Sequence, residues 1–228
     1  SLLKEKVNNL NNGIRSTFSY SYIPVLSGKL FATNNSPVIT TIDIDIQKKA
    51  LEILRSFVSE LKGRNLNDAS LLVVDNRSGE ILAYVANSME HSQARYVDGV
   101  VAKRQAGSTL KPFLYEYAFE RRLITPASVI DDSPVYLGKK VGIYAPENYD
   151  RRFNGPVSVR VALASSLNIP AVRVINLVGV ENFTAYLGLL GFDVSKSEVM
   201  EDYYGESLAL GTLDVSLYEL TRAYLSLA

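Results

Sequence analysis

From Pro37 onward the chain switches between two hydrophobic periods, and each switch marks an element. "VITTID", ending at Asp43, alternates apolar and polar positions as a short strand does. "DIQKKALEILRSFVSELKG" then places Ile46, Ala50, Ile53, Leu54, Phe57 and Leu61 at helical spacing. Asp43 or Asp45 supplies the N-cap of that helix, and Gly63 its stop. In "ASLLVVDNRSGEILAYVAN" two β-rich runs flank "DNRSGE", whose turn-forming residues predict an antiparallel hairpin. A polar loop over residues 87 to 103 leads to "FLYEYAFERRL", where Phe113, Leu114, Tyr117, Ala118 and Leu123 form an apolar stripe. Residues 123 to 155 carry no sustained period and read as an irregular, turn-rich region. Helical patterns return in "SVRVALASSLN", "IPAVRVINLVG", "VENFTAYLGLLG" and "DVSLYELTRAYLSLA", with Gly179 and Gly191 as C-caps. A helix, a hairpin and then a run of helices predict an α+β domain. Residues 1 to 36, rich in Asn and Ser with weak periodicity, read as a connector or N-terminal appendage.

Composition removes several functional classes. Lys plus Arg and Asp plus Glu both total 24, and no basic block interrupts that balance, so no nucleic-acid partner is implied. With no cysteine, the chain has no disulfide framework, thiolate nucleophile or Cys-based metal site. The single histidine, His91, sits in the polar stretch "NSMEHSQARY" and reads as a solvated loop residue. The chain contains no apolar run long enough to span a bilayer. Nor does "SLLKEKVNNLNNG" have the apolar stretch of a signal peptide, so any export signal or anchor is expected outside this chain.

The candidate chemistry lies in "GSTLKP". Ser108 and Lys111 are three apart and share a helix face. Pro112 has no N–H to donate, which places the helix start at or just before Ser108. A serine there lies among unpaired backbone N–H groups at the positive end of the helix dipole. Gly107 leaves room for a group to approach its hydroxyl, and a lysine beside the apolar stripe is placed for desolvation and use as a base. Alone, the pair also reads as a helix cap and a surface charge. A second element, Ser166 and Asn168 in "ASSLNIPA", adds a hydroxyl able to relay a proton and an amide able to donate to a substrate carbonyl and touch the lysine. Alone, these two residues read as helix-end caps.

Together the elements resemble the transpeptidase domain of bacterial penicillin-binding proteins, most closely the bifunctional, class A type. The resemblance runs over residues 37 to 228 and rests on "TTIDIDIQKKA", "LLVVDNRSGEILAYV", "RQAGSTLKPFLY", "APENYDRRFNGPVSVRVALASSLNIPAVRV" and "GESLALGTLDVSLYELTRAYLSLA", in that order. It implies the serine β-lactamase/transpeptidase-like α+β fold, an antiparallel sheet with packed helices. It also implies that Ser108 is the nucleophile, that Lys111 is its base and that Ser166 and Asn168 form the second motif. Ser108 would attack the D-Ala-D-Ala amide of a peptidoglycan stem peptide, with its own N–H as half of the oxyanion hole. A neighbouring stem's amine would then resolve the acyl-enzyme, whereas a β-lactam would acylate the same serine and stall. The implied setting is the extracytoplasmic face of the bacterial membrane, with an upstream glycosyltransferase domain in the whole protein and no cofactor or metal.

The sequence departs from the family pattern at one point. No Lys-Thr-Gly or Lys-Ser-Gly follows Asn168, so the domain over 37 to 228 is expected to be incomplete at its C-terminus, without its C-terminal strands. The chain alone is accordingly expected to be weakly active or inactive. Two other readings share the first two motifs: a serine β-lactamase using Glu201 or Asp202 to activate water, and an inactive penicillin-binding or sensor module. Tyr144, Tyr149 and Phe153, in the loop before the Ser-x-Asn element, are candidates to line a stem-peptide cleft.

Overall fold

A computed structural model describes residues 39–89, 92–139, 142–194 and 205–228, together with Val25 and Gly28; over 137–144 it describes the backbone alone. The appendage expected over residues 1 to 36 therefore lies outside the described residues, apart from Val25 and Gly28. The chain divides into two compact units, Ser1–Val100 and Val101–Ala228.

In the first unit, α1 (Ile44–Leu61) is capped by Asp43, whose carboxylate accepts from the N–H groups of Asp45 and Ile46. The stretch before it is not a strand: Ile39 to Asp43 is irregular, tied by the Asp43 N–H to the Leu82 carbonyl and by the Thr41 hydroxyl to the Ile81 carbonyl. The buried stripe of α1 is Gln47, Ala50, Leu51, Leu54 and Val58, while Ile53 and Phe57 of the expected stripe are exposed. The stripe rotates because Gln47 goes inside. Its side-chain amide donates to the Tyr84 carbonyl at 3.1 Å and accepts from the Tyr84 N–H at 2.7 Å, pairing with the strand as a neighbouring backbone would. Gly63 does not stop the helix; a 3₁₀ turn (Lys62–Arg64) follows, and Asn65 takes the left-handed conformation at φ 60°. The predicted hairpin forms from β1 (Leu71–Val74) and β2 (Ile81–Val85), closed by Asp75 accepting from the N–H groups of Arg77 and Ser78.

The second unit builds its core from Leu110, Phe113, Leu114, Val172, Ile175, Phe183, Leu187 and Leu208, all fully buried. At its centre α2 (Lys111–Glu120) is buried on nearly every side, and packs against α4 (Asn168–Val178) and α5 (Val180–Leu189). Leu123, expected on the α2 stripe, lies beyond the helix end and is exposed. Gly179 and Gly191 both take positive φ at helix ends, as expected of C-caps. Residues 123 to 155 are more ordered than their pattern predicts. β4 (Val129–Asp132) pairs antiparallel with β7 (Gly155–Ser158), and β5 (Leu137–Lys139) with β6 (Gly142–Tyr144). Ser158 caps the short α3 (Val159–Ala164) that follows β7.

One further pairing positions the Ser108 turn. β3 (Arg104–Gln105) pairs antiparallel with β8 (Asp214–Val215). The ladder continues by two bonds of 2.9 Å, from the Ala106 N–H to the Leu213 carbonyl and from the Gly107 N–H to the Gly211 carbonyl. Beyond β8, α6 (Leu217–Tyr224) begins with a Ser216–Glu219 capping box, and Glu219 also binds Lys103. The Tyr224 hydroxyl donates to the Thr109 carbonyl at 2.9 Å, and its ring meets Phe113 edge-on at 4.9 Å. Gly211 sits at φ +77° against Gly107, where an added Cβ would lie 1.8 Å from the Gly107 carbonyl oxygen. Gly211→Ala is therefore expected to cost about 2 kcal/mol or more. Thermal unfolding checks this as a fall in Tm of roughly 4–8 °C; an unchanged Tm would contradict the close approach.

Candidate active site

Ser108 is the second residue of a 3₁₀ turn (Gly107–Leu110) that runs directly into α2. Gly107 enters that turn at φ +58°, a conformation suited to glycine, and no atom lies within 4 Å of where its Cβ would be. Ser108 is exposed, and among the described residues its hydroxyl has no hydrogen-bond partner. Its carbonyl accepts from the N–H of Lys111, so the turn ties the two residues through the backbone.

Lys111 is 1% exposed, an extreme position for an ammonium group. Its Nζ lies 2.6 Å from the Ser166 carbonyl, 2.7 Å from Asn168 Oδ1 and 3.2 Å from Ser166 Oγ. Three donors thus meet three neutral oxygens, and among the described residues no carboxylate bonds to it. Burial without a counter-ion favours the neutral amine and pulls its pKa down to about 8.

Ser166 reaches this position in a left-handed conformation, at φ 52°. For a residue with a Cβ that costs on the order of 1–3 kcal/mol. It delivers the carbonyl and the hydroxyl of one residue to one amine. Asn168 opens α4 and uses both ends of its amide: Oδ1 accepts from Lys111, and Nδ2 donates to the Glu147 carbonyl at 2.8 Å. Leu167, at the N-cap position, has no side-chain acceptor for the helix. Asn148, 4% exposed, caps it from the preceding loop instead, its Oδ1 accepting from the Asn168 N–H at 2.8 Å.

The structure thus brings together Lys111, Ser166 and Asn168, with Ser108 one turn from the lysine. Beside Ser166 opens a cavity of about 400 Å³, with Asn148, Tyr149, Asn154, Val161 and Leu167 in its wall. Tyr149 is fully exposed at this rim, and Phe153, 41% exposed, is on the same loop but not in the cavity wall. Tyr144 ends β6, and its side chain lies outside the described ones, as do residues His91, Glu201 and Asp202. Asn148 carries no motif of its own in the sequence, although "APENYD" places it two residues after a proline in the turn-rich loop before Ser166.

A family model for the penicillin binding protein transpeptidase domain matches residues 69–228. Penicillin-binding protein 1C of Escherichia coli (strain K12) is 32% identical over 208 residues, 90% of this chain and 26% of that protein. Penicillin-binding protein 1A of Aquifex aeolicus is 37% identical over 159 residues, 69% of this chain and 21% of that one. The chain thus spans about a quarter or less of the relatives it matches. Among solved structures, penicillin-binding protein 1A from Haemophilus influenzae superposes with a TM-score of 0.61 at 31% identity, over 69% of this chain and 23% of that one. A peptidoglycan glycosyltransferase from Burkholderia ambifaria shares the fold, with a TM-score of 0.68 at 22% identity over 83% of this chain and 61% of that one.

Lys111 has a consequence for stability. Between about 8 and the ordinary lysine value of about 10.4 the unfolded chain holds a proton that the folded chain has released. The folded-state pKa is the lower one, so stability rises with pH across that window. Lys111→Met is expected to remove this slope. Urea midpoints of both proteins from about pH 7 to about pH 10 check it; parallel pH curves would contradict it.

Proposed function

Since the chain belongs to the penicillin-binding protein transpeptidase family, we propose that it carries the acyl-transfer site of a peptidoglycan D,D-transpeptidase, with Ser108 as nucleophile. The observation that carries this reading is the buried Lys111 amine, held by three neutral oxygens one turn from an exposed serine hydroxyl. At neutral pH a useful fraction of an amine titrating near 8 is unprotonated. The Ser108 Oγ attacks the carbonyl between the two D-alanines, and its proton passes to Lys111 as the C–O bond forms. Negative charge collects on the carbonyl oxygen, where the Ser108 N–H, at the start of the turn, donates to it. The carbon–nitrogen bond then breaks, and the departing D-alanine amine takes a proton through Ser166 Oγ, 3.2 Å from the lysine. In the second half an acceptor stem's amine attacks the ester, returns a proton along the same path and regenerates Ser108.

Asn168 orients the reactants: Oδ1 fixes the amine, and the second N–H of its amide, without an acceptor among the described residues, donates to the substrate. Tyr149 and the cavity beside Ser166 line the approach of a stem peptide. β-Lactams, which present a strained amide, acylate Ser108 and remain. The relatives' names, which include penicillin binding and a peptidoglycan glycosyltransferase, support this substrate class and a glycosyltransferase domain elsewhere in the whole protein; a substrate in the peptidoglycan places the reaction on the outer side of the membrane. Among the described residues no helix is long and apolar enough to cross a bilayer. No named relative favours a hydrolytic or an inactive reading.

Incubation with a fluorescent penicillin, followed by intact-mass spectrometry, tests this. A single covalent adduct is expected, absent from Ser108→Ala. An adduct of equal yield in that variant would sink the assignment. Acylation is expected to quicken with pH and level off above about 8, as Lys111 loses its proton. Ser166→Ala is expected to slow it by about 10²-fold or more, checked by stopped-flow fluorescence.

A further inference from the structure

The cavity beside Ser166 has one charged residue in its wall, Asp150, with Tyr149 next to it in the chain. Among the described residues no lysine or arginine lines this space. The Asp150 carboxylate is half used: Oδ1 accepts from the Arg152 N–H at 3.0 Å, and among the described residues Oδ2 has no donor. Arg151, which follows Asp150, pairs with Glu147 at 3.7 Å instead. Tyr149 is wholly exposed, an aromatic ring left in solvent at the mouth of a cavity.

The loop that carries both residues is fixed from beneath. Asp132, completely buried at the end of β4, accepts from the Asn148 amide at 2.8 and 2.9 Å. It also accepts from Asn154, through the backbone N–H at 3.0 Å and Nδ2 at 2.7 Å. Asn148 Nδ2 reaches the Arg152 carbonyl at 2.8 Å as well. The segment from Asn148 to Asn154 is thus pinned at both ends, so Tyr149 and Asp150 hold their places before a ligand arrives. The rest of the wall includes Val157, Val161 and Leu167, which suit a carbon stem, and Ser166, whose Oγ lies 3.2 Å from Lys111. A volume of about 400 Å³ is that of a small-molecule site.

A carboxylate, an exposed aromatic ring and an apolar lining together suit one kind of ligand, an ammonium group on a carbon stem. An anion would be repelled by Asp150, and a neutral group would leave its charge unanswered. The acyl transfer described above needs such a ligand in its second half. Its acceptor is an amine, and a free alkyl amine is an ammonium ion at neutral pH. We propose that this cavity is the seat of the acceptor: Asp150 and Tyr149 hold the ammonium-bearing side chain of a second stem beside Ser166. The inference rests on the acyl-transfer reading and adds where the acceptor binds and which residues select it.

Two probes of similar shape test this, N-acetyl-lysinamide and N-acetyl-norleucinamide, which differ in the terminal ammonium. Titrated into the whole chain by NMR, the lysine probe is expected to bind with a Kd on the order of 1 mM and to shift the Tyr149 and Asp150 resonances. The norleucine probe is expected to leave them in place. Asp150→Asn, which keeps an acceptor for the Arg152 N–H and so preserves the turn, is expected to weaken the lysine probe about fivefold. Tyr149→Ala, which alters no charge, is expected to weaken it about threefold. The preference for the lysine probe is expected to survive about 0.5 M salt, where the field of distant charges is screened. With a thioester donor on Ser108, the lysine probe's amine is expected to form an amide product. Its KM is expected to rise in both variants with kcat unchanged.

Equal binding of the two probes overturns the proposal, and so does wild-type affinity in Asp150→Asn. A preference that vanishes in salt and is untouched by Tyr149→Ala also overturns it, because it then reports net charge alone. Binding at the cavity with an acceptor KM unmoved in Asp150→Asn overturns the acceptor role. Absence of a penicillin adduct on wild-type Ser108 is a separate result. It counts against the acyl-transfer reading itself, while the titration still decides whether the cavity takes an ammonium group.

Discussion

The site depends on burying one amine without giving it a negative partner. A carboxylate beside Lys111 would cancel most of the cost of burial, and would also hold the proton on the amine. The fold instead surrounds Nζ with three neutral oxygens, enough to satisfy an ammonium's donors but too weak to fix its charge. Much of the second unit follows from this requirement. α2 is sunk into the core so that its first residue is desolvated, and Ser166 is bent into a left-handed conformation so that two of its oxygens reach the same atom. A loop residue caps α4 because the position before its first residue is a leucine. Burying the amine and bending Ser166 each cost stability, and the large apolar core around Phe113, Ile175 and Phe183 offsets them.

The elements that the sequence made legible are those written in local pattern. The period of α1, the turn chemistry of "DNRSGE" and the glycines ending α4 and following α5 each depend on neighbours within a few residues, and all three appear in the structure. Pattern misleads where a polar residue is recruited to the interior. Gln47 turns inward to pair with a strand 37 positions away, which rotates the buried stripe and leaves Ile53 and Phe57 in solvent. Asp43 was legible as a cap, yet the residues before it are held to β2 without forming a strand. Between residues 123 and 155, β4 is half exposed and its partner β7 is short, so neither carries the alternation of a buried strand.

The candidate site divides in the same way. Ser108 and Lys111 were legible because three residues of spacing and one proline fix a helix start, and Ser166 and Asn168 because their hydroxyl and amide sit before a proline in a helical stretch. Asn148 was not, since an asparagine in a loop is ordinary until the helix it caps is brought to it by the fold. The left-handed φ of Ser166 was equally hidden: strain at a residue other than glycine has no signature in composition.

The ladder from β3 to β8 joins the serine turn to a segment more than a hundred positions later in the chain. During synthesis, then, the turn that presents Ser108 emerges long before the strand that braces it. The chain elongates at roughly 5–20 residues per second, so this interval lasts several seconds or more. Until Gly211 and Val215 arrive, nothing holds Gly107 in its left-handed conformation or ties Thr109 to Tyr224. Delay of this kind is typical of contacts distant in sequence. The turn that carries Ser108 is therefore among the last parts of this unit to acquire its final shape, and a nascent chain exposes the serine well before its surroundings are in place.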